Sequence, residues 1–255
     1  MSRLQRHPIA MTARFRDVLV LTYAFPAALL RALVPSSLAL ETYGGAAFVA
    51  VAVVDMAHLR PAPLPHWTGV NATFVGYRVF VRTQLDDGRV RRGLKVLRTD
   101  VDRLGVLAGT RLLTRYRSGL VTAAWRRVDG RRAIDVRSRW HGVDLAVEAV
   151  MDDPARPPRG SVFASWQDAA PFSGPLPWTF APTAAGSSAI MVKGVRSDWR
   201  PRPVTVRAHH VGYFERAPFP RGDPVLAAAF HLADVRYSWT AGRDETVTAP
   251  RAGAG

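Results

Sequence analysis

Between Thr73 and Met151 the chain breaks into strand-length pieces separated by turn residues, and this punctuation restricts the fold more than any other feature. The pieces are Thr73–Thr83, Arg89–Asp100, Arg111–Arg117, Leu120–Val128, Arg132–Arg139 and Val143–Met151. Asp86-Asp87-Gly88 separates the first two. Asp129-Gly130 separates the fourth and fifth, a two-residue loop whose residues accept the positive φ of a primed hairpin turn. Within the last piece Val143, Leu145 and Val147 alternate with Asp144, Ala146 and Glu148, giving one buried and one wetter face. Such direct hairpins lack the helical crossovers that a doubly wound parallel sheet requires.

The flanking segments extend the pattern. Asp17–Ala24 reads as a strand, and Pro26 then opens a compact helix over Ala27–Leu33 that stops before Pro35. Ala46–Val54 is continuously apolar and rich in Val, which suits a strand buried on both faces. Asp152–Gly160 reads as a Pro/Arg linker. Strands follow near Ser188–Val195 and Val204–Tyr213, then a helix near Pro224–His231 and a closing strand at Asp234–Trp239. The predicted class is α+β and strand-dominated: a large curled antiparallel sheet or barrel with a few short helices, enclosing a cavity. Residues 14–240 are expected to form one domain, between a flexible N-terminus (1–13) and a flexible tail (241–255). A chain of 255 residues, 48% of them hydrophobic, supplies the core for such a unit.

Composition removes several chemistries. With no cysteine there is no disulfide, thiolate nucleophile or cysteine-ligated metal. The formal charge is +15, and every basic residue except Lys95 and Lys193 is arginine, a skew that fits a coding bias. The basic residues alternate with apolar ones, as in Arg131-Arg132-Ala133-Ile134-Asp135-Val136-Arg137, which is the pattern of a solvated strand face. A nucleic-acid module would instead present a contiguous arginine face and bind with steep salt dependence. The longest apolar run, Gly44–Val54, has eleven residues, short of the roughly 20 that span a bilayer. Val18–Leu30 is split by Pro26 and adjoined by Asp17, so it does not read as a signal core. The expectation is a cytoplasmic protein without a membrane partner.

No phosphate loop, dinucleotide fingerprint, nucleophile elbow or zinc-binding helix motif occurs. His58 and His66 flank a proline loop, and His209-His210 point to opposite faces of a strand. No metal site or cofactor is therefore expected. Trp166, Trp178 and Trp199 read as packing residues that could also line a pocket. Lys95 sits in Arg92-Gly93-Leu94-Lys95-Val96-Leu97-Arg98-Thr99-Asp100, where nearby cations favour the neutral amine. Such an amine forms a Schiff base with a ketone; the plain alternative is a lysine on a solvent face. Lys193 has similar apolar flanks.

At these residues the chain resembles the acetoacetate-decarboxylase-like superfamily, and within it the YqjF-like family. Arg16-Asp17, Tyr23, Leu29-Leu30-Arg31-Ala32-Leu33-Val34-Pro35 and Leu38 are similar to the decarboxylase segment in which a strand leads into a short helix. Tyr77–Val81, Gly93–Asp100 and His231–Tyr237 resemble later strands, so the similarity spans about Arg14–Trp239. The resemblance implies a β-lined cavity and, at Arg16, an anchor for the substrate carboxylate. The family's Schiff-base lysine and its lysine neighbour fall on Thr99 and Asp100, neither of which forms an imine. The assisting carboxylates have no counterpart around Val49 or in Pro61–Pro65. On an extended strand Lys95, Leu97 and Thr99 share a face, so unless a bulge shifts the register Lys95 is expected as a relocated amine roughly 13 Å along the same wall.

Two readings of function follow. In one, an enzyme of lyase type acts on a small keto acid: Arg16, Arg78 and Arg98 gate the cavity and hold the anion, while Lys95 polarises or attacks the carbonyl. In the other, the same barrel binds a small anionic or apolar ligand without imine chemistry. Decarboxylase relatives form oligomers, which makes a homo-oligomer an expected partner.

Overall fold

Each strand carries two rows of backbone donors and acceptors that need partners, and a chain built mostly of strands can satisfy them by closing on itself. The computed structural model describes residues 3–139, 144–174, 176–183, 186–216, 219 and 224–249. In chain order the elements are β1 (Met11–Pro26), α1 (Ala27–Arg31), β2 (Ala39–Leu40), β3 (Thr42–Tyr43), β4 (Ala46–Pro61), β5 (Val70–Leu85) and β6 (Val90–Val101). There follow α2 (Leu104–Leu113), β7 (Ser118–Val128), β8 (Arg131–Ser138), β9 (Leu145–Val150), α3 (Trp166–Ala169) and β10 (Trp178–Pro182). The last are β11 (Ser188–Arg196), β12 (Arg202–Pro203), β13 (Thr205–Val211), β14 (Val225–Trp239) and β15 (Arg243–Thr248).

Long antiparallel pairings run β14–β1–β4–β5–β6. β6 then pairs in parallel with β10, β10 with β11, and β11 with β14, so seven strands close a ring. β15 bridges β5 and β11. A second sheet, β7–β8–β9–β13, is wholly antiparallel and joins the ring through a short parallel pairing of β6 with β7. The strand-dominated, curled architecture is thus as the sequence implies, but the sheet is mixed, because both partners on the far edge of β6 are parallel.

Burial follows from this layering. Val49, Val51 and Val53 of β4 share one core with Leu19, Leu21, Val75 and Val79, and with Val121, Ile134, Leu145 and Val147 of the second sheet. Phe48, Ala50, Ala52 and Val54 of the same strand belong to another, with Val18, Val20, Phe230, Phe163 and Phe172. β4 is therefore buried on both sides, as its unbroken apolar sequence requires. We call the first side the inter-sheet face and the second the opposite face. The hairpin loops also match their residues: Asp129 and Gly130 have φ of 36° and 72°, and Gly88 has φ of 81°.

Three expectations are corrected. The alanine-rich stretch read as a helix at Pro224–His231 is the first half of β14, because Ala227–Phe230 are buried on both faces between neighbouring strands. Burial of this kind overrides alanine's helical propensity. Arg111–Arg117 is not a strand; the helix α2 occupies Leu104–Leu113. The tail expected from Ala241 contains β15, held between Gln84–Leu85 and Ser188–Met191. The first residue of the expected strand Val143–Met151 lies outside the described residues.

Gly93 marks the tightest strand approach. A Cβ there would meet the Phe180 ring and stand 2.5 Å from the Trp178 carbonyl oxygen. Gly93→Ala is expected to lower unfolding free energy by about 1–3 kcal/mol, measurable as a reduced urea midpoint at unchanged slope.

Candidate functional site

The register of β5 and β6 decides which side chains meet. Directly opposed residues share a face. Tyr77 opposes Arg98, but Arg78 opposes Val96, so Leu97 is an extra residue forming a β-bulge. The bulge also divides the far edge of β6 between β10, at Gly93–Lys95, and β7, at Thr99–Val101. Because of it Lys95 lies with Val79, Arg98 with Tyr77 and Asp100 with Val75, all on the inter-sheet face. Thr99 lies with Gly76, on the opposite face, as does Arg78. The expectation that Lys95, Leu97 and Thr99 share one wall is corrected by this single inserted residue.

Arg78 folds back over Gly76. The guanidinium carbon, Nε and one terminal nitrogen all lie 3.1 Å from where a Cβ of residue 76 would stand. Gly76 opposes both Ala52 and Thr99, so the cation rests at the Gly76–Thr99 pair in a patch of small side chains. Among the described residues Arg78 makes no ion pair or hydrogen bond; its electrostatic neighbours are the Tyr237 and Tyr116 phenols. Burial pulls the Arg78 pKa below the ordinary arginine value, an effect that Tyr237 and Tyr116 oppose. A guanidinium nevertheless stays charged in proteins. Beside it, Ser118 opposes Thr99, and its Oγ is buried without a partner among the described residues. A half-buried cation without a counter-ion is costly by itself and favourable once an anion is supplied.

Lys95 and Arg98 build a second cationic group across the strand. Arg98 Nε donates to Asp100 Oδ2 at 2.8 Å, with the two side chains 15% and 1% exposed. Tyr77 packs against Tyr213 in a tilted arrangement with ring centres 4.3 Å apart, and its buried hydroxyl has no partner among the described residues. Burial, and then the charge of Arg117, lower the Lys95 pKa from the ordinary lysine value. Gly119 makes room for the pair: a Cβ there would collide with the Arg98 guanidinium and stand 2.7 Å from Asp100 Oδ1.

Arg16 stands apart from both groups. It is itself the extra residue of a bulge, since Phe15 opposes Met56 and Asp17 opposes Asp55. Its Nη2 donates to Asp55 Oδ1 at 2.5 Å, and it lines an open groove of about 300 Å³ with Arg14, His58, Asn71 and Asp234. Asp17 and Asp55 are buried side by side and tied to the second sheet: Arg127 reaches both, at 3.0 and 2.6 Å, and Arg132 reaches Asp17 at 2.9 Å. His231 Nε2 lies 2.7 Å from the other Asp17 oxygen. The structure thus separates the four residues singled out in the sequence into three places: Arg78, Lys95 with Arg98, and Arg16. Sequence reading missed Gly76, Tyr77, Tyr116, Tyr237 and the Asp17–Asp55 pair. The one available signal was Asp55, the charge that ends the longest apolar run.

The chain matches the DUF2071 family model, described as "uncharacterized conserved protein", over residues 12–234. It therefore belongs to that family. No functionally curated protein matches its sequence. Among solved structures it is similar to acetoacetate decarboxylase from Legionella pneumophila, at 14% identity and a TM-score of 0.58, covering 93% of this chain and 87% of that one. It is also similar to the enduracididine biosynthesis enzyme MppR complexed with pyruvate, at 12% identity and a TM-score of 0.54, covering 94% and 88%. A further acetoacetate decarboxylase structure matches at 14% identity and a TM-score of 0.53, over 94% and 89%. At these identities the likeness establishes an acetoacetate-decarboxylase-like fold. No helix among the described residues is long and apolar enough to cross a membrane, and no group of three or more candidate metal ligands occurs among them.

Burial works against the Asp17 carboxylate, but hydrogen bonds from His231 and Arg127 and the charges of His231 and Arg132 outweigh it, holding its pKa below the ordinary aspartate value. A depressed carboxyl pKa adds stability that is present above the unfolded-state value and lost as pH falls through the folded one. Asp17→Asn is therefore expected to be less stable than wild type at pH 7, with the difference shrinking toward pH 3. Urea titrations at the two pH values measure both.

Proposed function

We propose that the protein binds a small carboxylate-bearing metabolite of the keto-acid type, with Arg78 as the group that holds the carboxylate. The observation that carries this reading is the Arg78 guanidinium, laid over the Gly76–Thr99 pair without an anionic partner among the described residues. Thr99 is the position at which the sequence resemblance places the family's Schiff-base lysine, so this chain would set a permanent cation where relatives carry an amine. A guanidinium pairs with a carboxylate through two parallel hydrogen bonds but does not add to a carbonyl. The Tyr116 and Tyr237 phenols and the Ser118 hydroxyl supply further donors around the same spot. The reading favours recognition over imine formation there, and Arg16, already engaged by Asp55, contributes to the rim rather than to the anchor.

A lyase reading rests on Lys95. Its burial favours the neutral amine, which could add to a ketone with loss of water, while Arg98 on the same face would hold the acid group. The bulge keeps this pair away from Arg78, so the two readings use different sides of β6 and separate cleanly.

Calorimetric titration with pyruvate and with acetoacetate tests the first. Arg78→Gln is expected to weaken binding by about tenfold or more, the effect of removing one charge-assisted contact; equal affinity in wild type and variant would sink it. Borohydride reduction with the same keto acids, followed by peptide mapping, tests the second. A mass adduct on Lys95, with a yield that rises at a pH below that of an ordinary lysine, supports the lyase. Binding without any adduct assigns a non-catalytic carrier or sensor.

A further inference from the structure

A separate groove opens beside β12 and β14, with a volume of about 290 Å³ and a lining of Asp198, Arg200, Arg202, His231, Leu232, Ala233 and Val235. At its base stands His231, 13% exposed, whose Nε2 is engaged by Asp17 at 2.7 Å. Asp17 is in turn fixed by Arg127 and Arg132 on its other oxygen, so the carboxylate is ionised and the histidine proton on that side is committed to it. The ring's Nδ1 has no hydrogen-bond partner among the described residues. Arg202 opposes His231 directly in the β12–β14 register and so lies on the same face. Among the described residues Arg200, 87% exposed, is engaged only by a loose contact to Asp198 at 3.7 Å.

We propose that this groove is a second ligand site, taking the tetrahedral oxyanion of a small phosphate-bearing metabolite between the Arg202 and Arg200 guanidiniums, beside the His231 ring. The chemistry is consistent on each count. Two arginines outweigh Asp198, and the groove, at about 290 Å³, is larger than a bare ion and suits a small phosphate ester. The charged groups facing His231 are Asp17 from β1, Arg202 from β12, and Asp198 and Arg200 from the segment before it. Arg127 and Arg132 act on it through Asp17.

Histidine ring resonances, followed by NMR during titration with inorganic phosphate and with sulfate, provide the test. The expected result is a saturable shift of the His231 resonances ahead of those of the other histidines with both anions. The exposed substitution Arg202→Gln should weaken it about tenfold, and Arg78→Gln should leave it unchanged. Shifts of equal size at His58, His209 and His210, or an affinity insensitive to Arg202→Gln, would overturn the proposal and indicate general screening of a basic surface. Loss of keto-acid binding in Arg78→Gln bears on the other site alone, so the two proposals fail independently.

Discussion

Everything in this protein depends on covering both sides of a few very long strands. β1, β4 and β5 are each sixteen residues long, and where they are apolar on both faces neither side tolerates water. Ring closure protects their edges and gathers one core, the second sheet covers the other face, and the Phe163 and Phe172 segment caps what remains. Charged residues within this arrangement are either paired, as Asp17 and Asp55 are with Arg127, Arg132 and His231, or given room by a bulge or a missing side chain. Arg16 sits on a bulge, the Lys95–Arg98 spacing spans one, and Arg78 uses the space left by Gly76.

Much of the architecture is legible in the sequence because local chemistry and long-range packing agree there. Asp129-Gly130 specifies its hairpin, and the unbroken run before Asp55 specifies a strand buried twice. The failures have physical causes. Ala227-Ala228-Ala229 carries helical propensity, yet a slot between two strands suits small side chains equally well. Leu97 has no sequence mark of a bulge, since the extra residue is defined only by its partners Tyr77 and Arg78. The separation of Lys95 from Thr99 therefore could not be read in advance. The same holds for the parallel partners of β6, which come from segments distant in the chain.

The comparison with acetoacetate-decarboxylase-like proteins gains its meaning from that bulge. Period-two alternation would carry Lys95 to the wall that holds Thr99, and the inserted residue carries it away. What stands at the Gly76–Thr99 pair instead is a guanidinium from the neighbouring strand. A guanidinium keeps its positive charge and is not a nucleophile, so under the proposed reading this position would recognise an acid rather than act on its carbonyl.

One further consequence comes from the seam between β1 and β14. Met11 opposes Trp239, so the first long strand waits for almost the last before one of its edges is occupied. During synthesis an apolar ribbon such as β1 with β4 must persist with that edge open while the ribosome adds the intervening chain. Folding rates fall as contacts become more distant in sequence, and open edges invite pairing with other molecules. Truncation near the C-terminus should thus be felt first as insolubility of the nascent chain, before any loss at a ligand site.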